Sequence, residues 1–417
     1  MVTLSQKMRI DLSSHNQKVF NKYVGYSRYI WNKALIKNNE MYHIYRELRN
    51  NSNLSKKELK KYYPNSNNLY KAMIHEDWEN QYHSRIKKIQ YENIEKAWKN
   101  FFNPNMPNHG KPRLKKRKDK KDSVTFRNAR IKNGYLYLPK SNKASKEFKF
   151  EPISLRKPIR FDGKLTQDIT IKKCGNSYLL ILTVKNDDFK KVSPKTTSST
   201  GVDLNIGKFN YLDENYQFKE LNIFATKLDI EYQRIKYYNK ILGKKRHKNS
   251  SWKTSKSYKK VKTKLSKHYT KAFNIQEEII DQFSSYLLKT YSRITIEDLN
   301  VNSMKMNKRL CKNLHRSLFG RFKTKIINKS QKFDSQLIIA DKYYPSTQRC
   351  SSCGNIKTGK DKLGLTGDRF GNPHNKYVCY NYDCGEIFDR DENAVLNLIQ
   401  YSELWVLLLG ECPRICS

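Results

Sequence analysis

Two features are scarce in this sequence of 417 residues: long apolar runs and acidic side chains. No apolar segment approaches the roughly 18 residues that a membrane-spanning helix needs, and the mean hydropathy is −0.86. We therefore expect no integral membrane segment. Residues 1–14 (MVTLSQKMRIDLSS) also lack the hydrophobic core of a signal peptide, so we expect a cytoplasmic rather than a secreted protein.

Basic residues are abundant instead, with 83 Lys and Arg against 39 Asp and Glu, a formal net charge of +44. Codon bias toward Lys would raise Asp and Glu as well, so it does not explain the imbalance. Because 37% of the residues are hydrophobic and 12% aromatic, the chain can bury cores for roughly two to four domains. A basic, multi-domain protein of this kind most often handles nucleic acid, although a merely well-solvated surface is the alternative.

Two amphipathic helices are predicted early in the chain, from Lys18 to Leu48 and from about Trp78 to Phe102. A dense run of charge follows at 111–121 and is too polar to pack. The second helix and this loop would present cations to phosphates, although a solvated surface explains any single cation equally well. These cations are Arg85, Lys87, Lys88 and Lys96 on the helix and Lys115, Lys116 and Arg117 in the loop.

Alternating apolar residues at 134–138, 169–171 and 178–184 predict a small antiparallel β unit, which we interpret as a barrel. A polar stretch at 190–200 then reads as a linker and marks the main domain boundary. Beyond it, strands alternate with helices. The strands are expected at 200–204, 209–212, 293–297 and 336–340, and the helices at 221–291, 314–333 and from Asp391 onward.

Four of the eight cysteines form two short-spaced pairs, Cys350 with Cys353 and Cys379 with Cys384. Two such pairs can supply four thiolates to one tetrahedral zinc ion, and the glycine after each pair permits the tight turn that this requires. Four thiolates leave no open position, so the zinc would be structural. Disulfides are the alternative, but a cytosolic chain keeps its thiols reduced.

Three acidic residues lie where a metal-dependent reaction would need them. Asp203 is embedded in an apolar strand, Glu297 ends another strand, and Asp391 stands at the start of a helix. Any one of them can be an ordinary capped or paired acid. Together, a folded α/β sheet can bring them into the oxygen-rich environment that Mg²⁺ or Mn²⁺ prefers, and two ions about 4 Å apart would support phosphodiester hydrolysis.

These segments resemble the TnpB proteins of insertion sequences, relatives of the compact type V CRISPR nucleases. In the C-terminal half the resemblance is carried by residues 201–207 (GVDLNIG), 296–301 (IEDLNV), 346–354 (STQRCSSCG) and 384–394 (CGEIFDRDENA). In the N-terminal half it is carried by 29–34 (YIWNKA), 97–102 (AWKNFF), 110–113 (GKPR) and 135–139 (YLYLP). The resemblance therefore extends over nearly the whole chain.

The resemblance implies a multi-domain α+β protein, an RNA-guided DNA endonuclease whose partners are a guide RNA and double-stranded target DNA. Its catalytic acids, which would bind two Mg²⁺ or Mn²⁺ ions, fall on Asp203, Glu297 and Asp391. Asp389 and Asn393 would support them, although Asp389 is equally credible as a helix cap. The implied domains are an oligonucleotide-binding-like wedge barrel (1–15 and 126–192), a helical recognition module (16–125), a linker (193–200), a RuvC nuclease domain of RNase H fold (201–345 and 386–417) and a zinc-ribbon insert (346–385).

The resemblance also places a lid over the nuclease cleft at Lys305 to Asn313. Base pairing would carry the sequence specificity, while the protein would supply cations and read a short motif beside the target. Three other readings stay open: a compact type V CRISPR effector with a CRISPR-derived guide, a zinc-containing nucleic-acid-binding regulator that does not cleave, and an unguided junction resolvase.

Overall fold

The computed structural model describes residues 2–51, 54–104, 109–117, 122–160, 164–166, 168–175, 177–187, 189–224, 226–248, 255–299, 317–364 and 366–409. The chain divides into two compact units, Met1–Phe189 and Lys190–Ser417. No helix within the described ranges has the length and apolar content needed to cross a membrane.

The first unit contains an antiparallel sheet in the order β1-β8-β7-β2, with β6 paired to β8. Its strands are β1 (Val2–Ile10), β2 (Ser123–Arg127), β6 (Lys164–Leu165), β7 (Asp168–Cys174) and β8 (Ser177–Asn186). Buried and less buried positions alternate along β8 because successive side chains of a strand point to opposite faces. The period-two pattern in the sequence therefore marks the face that covers the core.

A second, three-stranded sheet has the order β3-β4-β5, formed by β3 (Arg130–Lys132), β4 (Tyr135–Tyr137) and β5 (Ile153–Ser154). Asn128, with a φ of 69°, turns the chain from β2 into β3. An isolated bridge between Ile10 and Leu155 ties the end of β1 to the residue after β5. Both outer strands of the larger sheet's order, β1 and β2, are thus linked to the smaller sheet.

Four helices complete the first unit: α1 (Ser14–Asn51), α2 (Lys56–Tyr62), α3 (Ser66–Ala72) and α4 (Arg85–Phe102). One continuous core joins α1 and α4 to the larger sheet, with Phe20, Tyr23 and Phe126 fully buried. The helix predicted from Trp78 is wrong at its start. Residues Asp77–Gln81 form a 3-10 turn, and the extended backbone of Tyr82 separates that turn from α4.

The second unit is built on a mixed sheet in the order β11-β10-β9-β12-β13. These strands are β9 (Ser199–Asn205), β10 (Lys208–Leu212), β11 (Phe218–Asn222), β12 (Arg293–Ile296) and β13 (Gln336–Ile339). The first three are antiparallel neighbours, whereas β12 runs parallel to both β9 and β13. Because β9 begins at Ser199, it takes up the end of the stretch expected to be a linker.

Within its described residues, the second unit has the helices α5 (Thr226–Lys248), α6 (Lys256–Thr290), α7 (Phe319–Ser330) and α8 (Arg390–Leu409). The α5–α6 pair packs through buried residues spaced seven apart, the spacing that keeps a contact seam between two helices. They are Leu228, Ile235 and Leu242 on α5 and Tyr258, Leu265 and Ala272 on α6. A small insert with the hairpin β14 (Lys376–Val378) and β15 (Ile387–Asp389) separates β13 from α8.

Candidate active site and metal centres

The three predicted catalytic acids lie at one edge of the second unit's sheet. Asp203 is on β9, the central strand, and Glu297 directly follows β12, its parallel neighbour. The carboxyl ends of parallel strands meet at the same edge, so the topology brings the two acids together. Asp391 is the second residue of α8, which packs against β9 and β12.

Gly201 lets α8 lie close to β9. A Cβ atom at this position would lie 2.4 Å from the backbone oxygen of Val395 and 2.7 Å from the Cβ of Leu398, both on α8. Any side chain here would push the helix off the strand. The glycine two residues before Asp203 therefore sets the separation between Asp203 and the start of α8.

Asp203 is buried, with 3% of its surface exposed. Its Oδ2 accepts a hydrogen bond of 2.6 Å from Nδ2 of Asn205. Burial raises the pKa of Asp203 well above its usual value, and the negative charges of Glu297 and Asp391 raise it further. A buried carboxylate among like charges is costly unless a cation joins it, so these electrostatics suit a metal ligand.

Glu297 is held by a serine that the sequence reading did not single out. The hydroxyl of Ser346 donates a hydrogen bond of 2.5 Å to Oε1 of Glu297. Burial raises the pKa of Glu297, while the Ser346 hydroxyl and the charge of Arg390 act in the opposite direction. Ser346 opens the STQRCSSCG segment, which was the only sequence signal that could have pointed to it.

Asp391 has a cation beside it, because the ammonium of Lys208 lies 2.9 Å from its Oδ2. Asp389 accepts hydrogen bonds from the backbone amides of Asp391 (2.8 Å) and Glu392 (3.2 Å), the arrangement of a helix cap. Asn393 is fully buried and bonds the backbone of the zinc-binding segment at Arg349 and Ser351. The two residues expected to support the acids therefore make their hydrogen bonds to backbone groups.

A cavity of about 300 Å³ opens between Asp203 and Glu297 and is also lined by Asp298, Asp341, Ser346 and Arg390. Nε of Arg390 is buried without a hydrogen-bond partner among the described residues. The charge of Arg390 lowers the pKa of both Asp203 and Glu297. Carboxylate oxygens around a cavity of this size are the donor set that Mg²⁺ and Mn²⁺ accept, so the residues fit such ions.

The four predicted zinc ligands come together in the insert, where all four sulfur atoms lie within 4.8 Å of one another. Sγ of Cys350 lies 3.8 Å from that of Cys384, and Sγ of Cys353 lies 3.6 Å from that of Cys379. A zinc ion bonded to four thiolates at about 2.3 Å separates them by about 3.8 Å. A disulfide would need about 2.05 Å, so the cluster fits one zinc ion and not two disulfides.

The turns that hold the cysteines have the form that a zinc knuckle needs. Gly354 and Gly385, one after each pair, adopt positive φ values of 78° and 58°, which glycine reaches without strain. The backbone amide of Asn355 lowers the pKa of Cys353 to about 6. A thiol that ionises so readily is suited to binding a metal as the thiolate.

The predicted cations of α4 differ in their surroundings. Arg85 is exposed and Lys88 is partly exposed. Lys87 is instead buried, and its ammonium contacts the buried carboxylate of Glu79, so the solvated position expected for Lys87 is wrong. It lies on the apolar side of α4 because the charge of Glu79 neutralises it there.

The basic segment 109–117 is fastened to α1. Trp31 Nε1 donates to the backbone oxygen of Arg113 (3.0 Å), and the Asn32 amide exchanges hydrogen bonds of 2.8 and 3.1 Å with the Lys115 backbone. The Lys115 ammonium lies 3.7 Å from the centre of the Trp31 ring. Although the residue as a whole is exposed, partial desolvation of its ammonium lowers the pKa of Lys115 to about 8.

Lys116 and Arg117, the next two residues of this segment, are exposed. The YIWNKA and GKPR segments of the sequence thus meet in space. The predicted lid, from Lys305 to Asn313, lies outside the described residues.

Two family models match the chain. One, described as a Cas12f1-like TNB domain, matches residues 319–398, and one described as "Probable transposase" matches residues 181–308. The "Putative RNA-guided DNA endonuclease" of Streptomyces pristinaespiralis is 22% identical over 312 residues, 73% of this chain and 68% of that protein. The "TnpB-like protein L79" of Acanthamoeba polyphaga mimivirus is 27% identical over 261 residues, 60% of this chain but only 46% of its own length.

Among solved structures, a Cas12f1–sgRNA–target DNA complex aligns with a TM-score of 0.52 at 15% identity, covering 93% of this chain and 83% of the Cas12f1 chain. This likeness defines a Cas12f-like α+β fold with mixed sheets, here with a four-cysteine cluster that fits zinc. Together with the two family models and the relatives, it supports a TnpB family protein.

Proposed function

We propose that the chain is an RNA-guided DNA endonuclease that cuts target DNA beside a short flanking motif by two-metal hydrolysis in a RuvC-type site. The observation that carries this proposal is the meeting of Asp203 and Glu297 at one cavity, with Asp391 close enough to raise the pKa of Asp203. The strand order β11-β10-β9-β12-β13, in which β10 runs antiparallel to the other four strands, supports an RNase H-type nuclease domain.

In this mechanism Asp203, Glu297 and Asp391 hold the divalent ions, which when bound supply an activated water and charge stabilisation at the scissile phosphate. Asn205 and Ser346 orient the first two carboxylates, because each donates a hydrogen bond to one oxygen. Arg390 lines the same cavity with a positive charge that an approaching phosphate would meet. Hydrolysis thus needs no covalent intermediate on the protein.

Two observations support guide RNA and target DNA as partners: the positive charge of the chain and the name of a relative. The relative from Streptomyces carries the name of an RNA-guided DNA endonuclease, and the net charge of +44 suits a chain that holds two polyanions. We assign the wedge barrel to 1–15 and 126–192 and the recognition module to 16–125. The bridge between Ile10 and Leu155, which ties together the ends of two sheets, supports the barrel. The remaining domains keep the bounds expected from the sequence.

Sequencing the RNA that co-purifies with the full chain tests guidance, and cleavage of a matched DNA duplex in Mg²⁺ tests the nuclease. We expect a discrete RNA with a variable end, and cutting that Asp203→Ala abolishes. Asp213→Ala is the control, because Asp213 caps an exposed turn through the backbone amides of Asn215 and Gln217. Unchanged cutting by Asp203→Ala, or no cutting by the wild type, would refute the nuclease.

A second candidate function is that of a compact CRISPR effector whose guide derives from a repeat array. The structural likeness to the Cas12f1 complex favours considering it. The same RNA sequencing distinguishes the two. A guide ending in transposon sequence supports the first proposal, and one that contains a CRISPR repeat supports the second.

A further inference from the structure

A hydrogen bond joins the zinc-binding insert to the nuclease site. Ser346, 5% exposed, lies four residues before Cys350, and its hydroxyl donates to Oε1 of Glu297 at 2.5 Å. The bond fixes one carboxylate oxygen of Glu297, and both residues line the same cavity. The orientation of Glu297 therefore depends on where the segment before Cys350 is held.

That segment is held by a row of amide side chains on α8: Asn393, Asn397 and Gln400. Spaced by four and three residues, they share one helix face. Asn397 Nδ2 donates to the backbone oxygens of Ser346 (2.9 Å) and Arg349 (2.7 Å). Asn393 and Gln400 bond the backbone of Ser351, at 2.9 and 2.5 Å.

Two of the three amides are interior, Gln400 is partly buried, and each of the three makes several hydrogen bonds. Asn393 and Asn397 are 0% exposed, and the Arg349 guanidinium donates to Asn397 Oδ1 (3.1 Å) and Gln400 Oε1 (2.6 Å). Buried amides with several partners fix a backbone segment in one arrangement. Because α8 also carries Asp391, one helix positions an acid directly and a second acid through Ser346.

We infer that Ser346 is a positioning residue for Glu297, and that the segment leading into the first zinc knuckle thereby supports the divalent-ion site. This inference rests on the proposed nuclease function. A hydroxyl that holds a metal-binding carboxylate raises affinity because the carboxylate loses less freedom when the ion binds. The simpler alternative is that Ser346 only stabilises the turn.

Direct binding of Mn²⁺ to the full chain, purified free of RNA and loaded with zinc, separates the two roles. Mn²⁺ binding is measured by electron paramagnetic resonance. Ser346→Ala should weaken it by about 10-fold, the lower end of the range for residues that hydrogen-bond to metal ligands. Ser346→Thr keeps the hydroxyl and should restore binding. Ser335→Ala is the matched control, since its buried hydroxyl donates to Leu288 O (2.6 Å) in the same unit.

Cleavage by the guide complex supplies the second readout. For Ser346→Ala the half-saturating Mg²⁺ concentration should rise by a similar factor, while the rate at saturating Mg²⁺ returns to within about 2-fold of wild type. Zinc content should stay unchanged. A turn that merely loses stability would lower the amount of active enzyme without shifting its Mg²⁺ dependence.

Wild-type Mn²⁺ affinity in Ser346→Ala overturns the inference while leaving the nuclease intact. An equal loss in Ser335→Ala also overturns it, because the effect is then one of general stability. If the wild type binds no Mn²⁺, or binds it equally well after Asp203→Ala, the proposed metal site itself fails and this inference fails with it.

Discussion

Replacing Asp203 with asparagine should stabilise the metal-free chain and abolish cleavage. Burial and the charges of Glu297 and Asp391 raise the pKa of Asp203, so the folded state disfavours an ionised group that the unfolded state accommodates freely. The penalty is absent below the unfolded pKa of about 3.9, grows as the pH rises, and becomes constant above the folded pKa. Asparagine removes it because the amide does not ionise.

Asparagine has nearly the same shape as aspartate, so its side chain can keep the hydrogen bonds around position 203. Asn205 Nδ2 donates to Asp203 Oδ2 at 2.6 Å, and the side-chain oxygen of an asparagine can accept that bond. The amide nitrogen can face Glu297 and replace the side-chain contact from Asp203 that lowers the pKa of Glu297. No cavity is created, so only the electrostatic term changes.

Removing a poorly compensated buried polar group is worth on the order of 1–3 kcal/mol. For a unit of this size each kcal/mol shifts the unfolding midpoint by about 2–4 °C. We therefore expect Asp203→Asn to raise the midpoint by about 2–12 °C at pH 7.5 in buffer free of Mg²⁺ and Mn²⁺. Adding Mg²⁺ should reverse the order, since only the wild type gains stability by binding the ion.

Calorimetric unfolding between pH 4 and 8 measures the size and the sign of the change in the unfolding midpoint. Asp213→Asn is the matched control, because backbone amides, first that of Gln217, lower the pKa of Asp213. The same chemical change should therefore destabilise the chain at neutral pH. A midpoint for Asp203→Asn below that of the wild type at pH 7.5, or a gain that stays undiminished down to pH 4, would refute the reasoning.

Three further predictions concern other parts of the chain. Lys87→Ala should lower the free energy of unfolding in urea by about 3 kcal/mol, the lower end of the range for a broken buried pair, because the buried carboxylate of Glu79 loses its nearest cation and keeps Lys33 at 3.9 Å. Lys88→Ala should change it by less than about 0.5 kcal/mol. Asn32→Ala should speed tryptic cutting within 109–117, which loses two hydrogen bonds to α1, and unchanged cutting would contradict this tether. Cys353→Ser should lower bound zinc from one ion per chain to near none by elemental analysis; retained zinc would show that the cluster does not need this thiolate.

Local patterns in the sequence carried much of the fold. The alternation at 178–184 reappears as the buried face of β8, and the helix from Lys18 to Leu48 lies within α1. The helices α2 and α3 were missed because each has only seven residues, too few for a periodic signal. Their ends are instead set by capping side chains, as at Ser55, which forms a capping box with Glu58.

Some residues of the candidate site can be found from the sequence, and others cannot. An acid inside an apolar strand is visible in the sequence, as at Asp203, because its burial follows from its neighbours. The partners that orient the acids are not visible, since Ser346 reaches Glu297 across 49 positions of the chain. Lys87 was misplaced for the same reason: only the fold reveals that Glu79 lies beside it. Periodicity in the sequence shows which face of a helix is apolar. Whether a charged residue can be buried on that face depends on partners that only the fold brings close.

Neighbouring side chains orient the three acids of the proposed metal site. Asn205 bonds Asp203, Ser346 bonds Glu297 and Lys208 lies beside Asp391. Asn205 and Ser346 are neutral, so they orient their carboxylates while burial and the charges of Glu297 and Asp391 keep the pKa of Asp203 raised. Orientation and repulsion together favour a divalent cation, because the ion relieves the repulsion while the carboxylates are already in place. We therefore expect the electrostatic cost at this edge of the sheet to contribute to the metal affinity that the proposed nuclease reaction requires.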